Sequence, residues 1–75
     1  MKTYQIKYQQ TGIWQETNGG PYYYMYGLIN KTEVVKTNNI IKEIAKIKKL
    51  AESFKSPGIF PNMKAEFVLK DVKKL

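Results

Sequence analysis

The sequence predicts a small α+β domain, a two-layer sandwich with one helix on one face of a mainly antiparallel sheet. Three or four strands are expected, in the order β-β-β-α-β. Three observations carry this reading. Residues 2–9 alternate strictly between polar and apolar side chains, residues 40–54 repeat apolar side chains at helical spacing, and clusters containing Gly, Pro or Asn separate the apolar segments.

The opening segment sends Tyr4, Ile6 and Tyr8 to one side and Thr3, Gln5, Lys7 and Gln9 to the other. A period of two is the mark of a half-buried strand. Gly12 interrupts it, so Ile13-Trp14 reads as a bulged extension or the start of a loop, with Trp14 as a lid over the sheet edge or a binding residue. Asn18-Gly19-Gly20-Pro21 has hairpin-turn chemistry, because Asn-Gly suits a type I′ turn and Pro21 blocks further pairing. Residues 22–29 form the second strand, Asn30-Lys31-Thr32-Glu33 a turn and Val34-Val35 a short third strand.

Asn38 or Asn39 caps the helix, since a short polar side chain accepts the free N–H groups of the first turn. Ile40, Ile44, Ile47, Ala51 and Phe54 form one apolar stripe, widened by Ile41 and Leu50, and Lys42, Lys46, Lys49 and Ser53 lie opposite. Glu43 reaches Lys46, and Glu52 reaches Lys48 and Lys55, as helix ion pairs. Ser56-Pro57-Gly58 ends the helix. A loop through residues 59–62 leads to a last strand over 65–72, with Lys73 and Lys74 as a frayed, solvated tail. No linker or repeat divides residues 1–75, which make a single domain.

One helix covers one face of such a sheet, and residues 22–29 are aromatic or apolar on both faces. We expect Tyr23, Met25 and Ile29 in the core, with Gly27 allowing the helix a close approach. Tyr22, Tyr24 and Tyr26 then lie beside Lys7 on the open face. That row is either a set of good strand formers stabilised by cross-strand pairs or a platform for bases, another protein or a second copy of the chain. The Lys42, Lys46 and Lys49 stripe is either a solvated helix face or a phosphate-contacting one.

Thirteen basic residues, every one a Lys, stand against six acids, a formal charge of +7. Lys, Asn, Ile, Tyr and Phe make up 35 of the 75 residues, a bias toward A/T-rich codons that indicates a low-GC genome. The charge favours polyanions or an acidic protein surface as partner. Without Arg, base-specific readout of guanine is disfavoured, while backbone and single-strand contact is not. There is no Cys or His, no close pair of acids on one element, no P-loop and no zinc spacing. We therefore expect no enzyme activity, no metal and no cofactor.

The Cys-free composition, with no apolar leader or membrane-length run, points to the cytoplasm and away from membranes. Three strands followed by a helix is similar in element order to the arm-type DNA-binding modules of phage integrases, which implies DNA contact without assigning it to a residue. The function expected is nucleic-acid binding through a basic surface, in a phage or mobile-element accessory protein. A protein-binding inhibitor or adaptor, such as one directed at a host defence enzyme, is the alternative. Homodimerisation through the open sheet face is open in either case.

Overall fold

The computed structural model describes residues 1–75 apart from Asn18, Ser56, Pro57 and Ile59. Its elements are β1 (Lys2–Glu16), β2 (Tyr23–Thr37), α1 (Ile40–Glu52) and β3 (Phe67–Lys74). The sheet is three-stranded and antiparallel in the order β2-β1-β3. The α+β class holds, and the order is β-β-α-β, with one strand fewer before the helix than expected. The likeness to integrase arm-binding modules, which rested on three strands before a helix, lapses with it.

The missing strand was absorbed by its neighbour. Residues 30–33, expected to turn, continue β2 without a break: Asn30, Lys31, Thr32 and Glu33 sit opposite Gln9, Tyr8, Lys7 and Ile6. The segment contains no Gly or Pro, so nothing forces a turn. Its polar side chains find partners on β1: Gln9 Nε2 donates to Asn30 Oδ1 (3.0 Å), and the Tyr8 hydroxyl donates to Glu33 Oε1 (3.2 Å).

β1 likewise runs through Gly12 to Glu16, because Gly12 is matched by Gly27 on β2. A Cβ at Gly12 would meet Ile29 Cδ1 at 2.6 Å, and one at Gly27 would meet the Trp14 ring at 3.2 Å. The two glycines thus let Ile29 and Trp14 lie across the sheet. Gly27 makes room for Trp14, not for the helix, and Trp14 is a strand residue, not part of a loop.

The strands join through residues 17–22, longer than a two-residue turn. Gly19 supplies positive φ (78°), and Thr17 Oγ1 donates to Gly20 O (3.1 Å). Asn18, the first residue of the expected turn, lies outside the described residues.

The helix is capped by Asn39, whose Oδ1 accepts from the Lys42 N–H at 3.2 Å. Thr37 Oγ1 accepts from the Asn39 N–H (3.0 Å) and locks the strand-to-helix corner. The helix stops at Glu52, with Ser53 at its C-cap, before the expected Ser56-Pro57-Gly58 stop. Ser56 and Pro57 lie outside the described residues. β3 starts at Phe67 and includes Lys73 and Lys74, paired with Gln5 and Tyr4, so these lysines are strand residues and not a frayed tail. Lys70 is the extra residue of a bulge, since Lys7 opposes Asp71 while Tyr8 opposes Leu69.

The register sorts the side chains into two faces, because directly opposed residues of a pair share a face. Tyr4, Ile6 and Tyr8 share theirs with Tyr23, Met25, Ile29 and Val35 of β2 and Val72 of β3. α1 packs on this side. A cleft of about 620 Å³ between helix and sheet is lined by Tyr8, Gln10 and Glu33 below and Lys46, Ile47 and Leu50 above.

Ile6 is fully buried, and Tyr8 and Ala51 nearly so. Ile40, Ile44 and Ile47 are half-buried. Ile41 (78% exposed) and Leu50 (74%) do not widen the core stripe. A 13-residue helix is about 20 Å long, whereas the molecule measures 49 × 25 × 15 Å. The helix therefore covers only the half of the hairpin next to its open ends. Tyr23 (42%) and Met25 (38%), although on the helix side, stay exposed beyond its reach, so they are not core residues as expected.

A candidate nucleic-acid interface on the open sheet face

Opposite the helix lies the second face: Thr3, Gln5, Lys7, Gln9, Thr11, Ile13 and Gln15 of β1, with the even-numbered residues 24–36 of β2. β3 adds Lys73, Asp71 and Val68. Near the open end of the hairpin this face is polar and basic. Lys7 stands between Thr32 and Asp71, Gln5 between Val34 and Lys73, and Thr3 opposes Lys36. Asp71 is the one acid that the paired strands place here. The Gln9–Asn30 bond orders two amides in the middle of the array.

Toward the hairpin tip the same face turns aromatic. Tyr24, Tyr26 and Leu28 oppose Gln15, Ile13 and Thr11. The segment ahead of β3, residues 60–66, reaches this side and sets Phe60 on Tyr26, ring centroids 4.6 Å apart at 58°. It is fastened at Thr11, whose N–H donates to Glu66 O (3.2 Å). Thr11 Oγ1 donates to Lys64 O (3.3 Å) and accepts from the Glu66 N–H (2.8 Å). Tyr24 and Tyr26 remain about half exposed.

The seven expected contact residues do not converge. Lys7, Tyr24 and Tyr26 lie on the open face, while Tyr22 precedes β2 and is exposed on the connecting segment. Lys42, Lys46 and Lys49 are exposed on the helix, which lies on the opposite side of the sheet. There Lys46 is drawn to Glu43 (3.7 Å) and Lys48 to Glu52 (3.9 Å), the two ion pairs among the described residues. Lys55 is not part of them.

Lys36 and Lys73 were missed from sequence. Both are placed on the open face by register: Lys36 lies just past the short strand expected at Val34-Val35, and Lys73 in the segment expected to be a tail.

Among the described residues no group of His, Cys, Asp or Glu has the arrangement of a metal site, and no helix is long and apolar enough to cross a membrane. Two tyrosines have phenols pushed above their usual range. Tyr8 is raised by burial, then by the charge of and hydrogen bond to Glu33. The exposed Tyr23 is raised mainly by donating to Glu16 Oε2 (3.1 Å). Glu16 also accepts from Trp14 Nε1 at 2.8 Å, so it serves the hairpin tip as an acceptor. Comparison with protein-family models, with curated proteins and with solved structures finds no match for this chain.

Proposed function

We propose that the chain binds nucleic acid along the open sheet face, without chemistry. The observation that supports this most is the row of Lys7, Lys36 and Lys73 on one flat surface, interleaved with Gln5, Gln9 and Asn30 and opposed by a single acid. Lysines spaced across the three strands neutralise neighbouring phosphates, and the amides add hydrogen bonds to phosphate or sugar oxygens. Tyr24 and Tyr26 extend the same surface with rings on which unpaired bases stack. Single-stranded nucleic acid fits this combination best, because stacking needs exposed base faces and lysine contacts need no sequence.

The alternative contact, through Lys42, Lys46 and Lys49, has a lower claim, since Lys46 already faces a carboxylate. Anisotropy titrations of a labelled single-stranded oligonucleotide over a salt series separate the two. The variant with Lys7, Lys36 and Lys73 all changed to Gln should flatten the slope of log K against log salt by about 2, from about 0.7 per phosphate lost. The same exchange at Lys42, Lys46 and Lys49 should change it little. Equal loss from both triple variants would show diffuse attraction to the +7 chain. No binding at about 50 mM salt, where the phosphate term is strong, ends the proposal.

A further inference from the structure

We infer that two copies of this chain join through their β2 edges into one six-stranded antiparallel sheet, in the order β3-β1-β2-β2-β1-β3. β2 is the outer strand of its sheet over its whole length of 15 residues. Its far side carries a row of backbone N–H and C=O groups without strand partners. Edges are usually blunted by charge, Pro, a bulge or shortness. Here residues 23–30 contain no charge and no Pro, and the register to β1 runs without a bulge. The other edge is different in kind: β3 is eight residues long, bulged, and carries Lys70, Asp71, Lys73 and Lys74. One edge invites a strand and the other repels one, so pairing closes at two copies.

The size of the exposed surface points to the same occupant. The chain exposes 5739 Å², whereas a compact monomer of 8.8 kDa exposes about 4,800 Å². Its radius of gyration is 15.2 Å, against about 11 Å for 75 compact residues. Two copies that each hid the excess would bury about 1,900 Å² in total, the size of a standard stable interface.

The register follows from symmetry. Opposed residues in an antiparallel pair must both point their backbone groups into the pair or both away, so identical strands meet with an even sum of residue numbers. A two-fold axis at Asn30 pairs all 15 residues of β2, Tyr23 with Thr37 through to Thr37 with Tyr23. In that register Lys31, Glu33 and Lys36 oppose Ile29, Gly27 and Tyr24, so no like charges meet. Exposed Val34 gains Tyr26 of the second copy as its neighbour. Met25 and Ile29 of the second copy arrive beside the cleft above Lys31 and Glu33. Both helices lie on one side of the joined sheet, and both basic faces on the other.

This rests on the edge alone and not on the proposed nucleic-acid contact, and it is tested without nucleic acid present. Light scattering or sedimentation at about 100 µM should give twice the chain mass, with association tightening as salt screens the two +7 charges. Salt weakens phosphate contact, so the two proposals fail separately.

The chain has no Cys, so single substitutions report cleanly. Asn30→Cys should oxidise to a disulfide-linked dimer, since opposed Cα atoms lie about 4.5–5.5 Å apart. Lys42→Cys on the helix surface should not. Tyr24→Lys sets like charges opposite Lys36 at both ends and should weaken association about tenfold relative to Tyr24→Glu, which sets opposite charges there. A monomer at that concentration, open-ended oligomers, or cross-linking of Lys42→Cys as fast as Asn30→Cys would overturn the edge pairing. Equal dissociation constants for the two Tyr24 variants would overturn the Asn30-centred register.

Discussion

The two halves of the β1–β2 hairpin are built from the same two strands and differ in what else they touch. In the proximal half, residues 4–10 of β1 have β2 on one side, β3 on the other and α1 above, and this is where Ile6, Tyr8 and Ala51 are buried. In the distal half, residues 11–16 of β1 pair only with β2. Tyr23, Tyr24, Met25, Tyr26 and Leu28 are all exposed there.

A two-stranded ribbon is marginal in water unless another layer covers it. The distal half has partial substitutes: the Gly12/Gly27 pair that seats Ile29 and Trp14, Phe60 on Tyr26, and the acceptor Glu16. The apolar content of a strand does not by itself say where the core is. The third layer decides that, and here it reaches only one end.

The largest expected effect sharpens this contrast. Ile6→Ala should destabilise by about 2–5 kcal/mol, through lost transfer energy and a cavity with no slack around it. A chain of this length has about 4–11 kcal/mol in all, so the variant should sit near the edge of unfolding. Met25→Ser, at an exposed position facing the same side, should cost about 1 kcal/mol or less, as should Tyr24→Ser. Urea unfolding at low protein concentration compares the three. A Met25→Ser cost close to that of Ile6→Ala would mean the distal half is covered even in the single chain, and the division drawn here would be wrong.

Thr11 marks the border between the halves, and it gives a middle-sized effect. Thr11→Val keeps the shape but leaves the Glu66 N–H without its 2.8 Å acceptor at a part-buried site. A loss of about 1–3 kcal/mol is expected. Thr11→Ser keeps the hydroxyl and should recover most of it. Equal losses from Val and Ser would assign the effect to the methyl group's packing and not to the fastening of the connection.

What could be read from the sequence divides along the same border. The alternation of residues 2–9 and the stripe of Ile40, Ile44, Ile47 and Ala51 are local periodicities, and they place the proximal half correctly. The alternation of residues 22–29 separates Tyr23, Met25 and Ile29 from Tyr24 and Tyr26, but which set faces the helix is decided by the register to β1. The extent of the strands was not legible. Gly12 weakens a strand in isolation, and only the opposing Gly27 shows why it is tolerated. Asn30-Lys31-Thr32-Glu33 has the polarity of a turn, and only its partners on β1 keep it extended. That one misreading hid Lys36 from the open face. Lys73 was hidden because pairing with Gln5, a contact 68 positions away in sequence, is what orders it. The helix lysines stood out for the opposite reason: a stripe at spacings of four and three is visible on the page, whether or not it shares a surface with anything else.

The smallest expected effect is a pH dependence that again separates the halves. The Tyr8 phenol lies in the proximal core and donates to Glu33. Burial first, then the negative charge and the hydrogen bond, hold its pKa above the ordinary value of 10.0. A folded-state pKa above the unfolded one means that folding favours the protonated phenol. The associated stability is fully present below about pH 10 and is lost as pH rises through the raised value. Tyr8→Phe removes both the titrating group and the bond, so it should be less stable than the parent at neutral pH, and the difference should shrink above about pH 10. Taking the difference between parent and variant cancels the contribution of every group the two share. Tyr23→Phe is the distal control. Its phenol is also raised, chiefly by the bond to Glu16, but it stands in solvent, where screening leaves that bond little weight in stability. Urea midpoints for parent and both variants, from neutral pH to about pH 11, should converge for Tyr8→Phe and run parallel for Tyr23→Phe. If the Tyr23→Phe curve converges on the parent as strongly, the hairpin tip is as well buried as the helix-covered end, and the two halves are one.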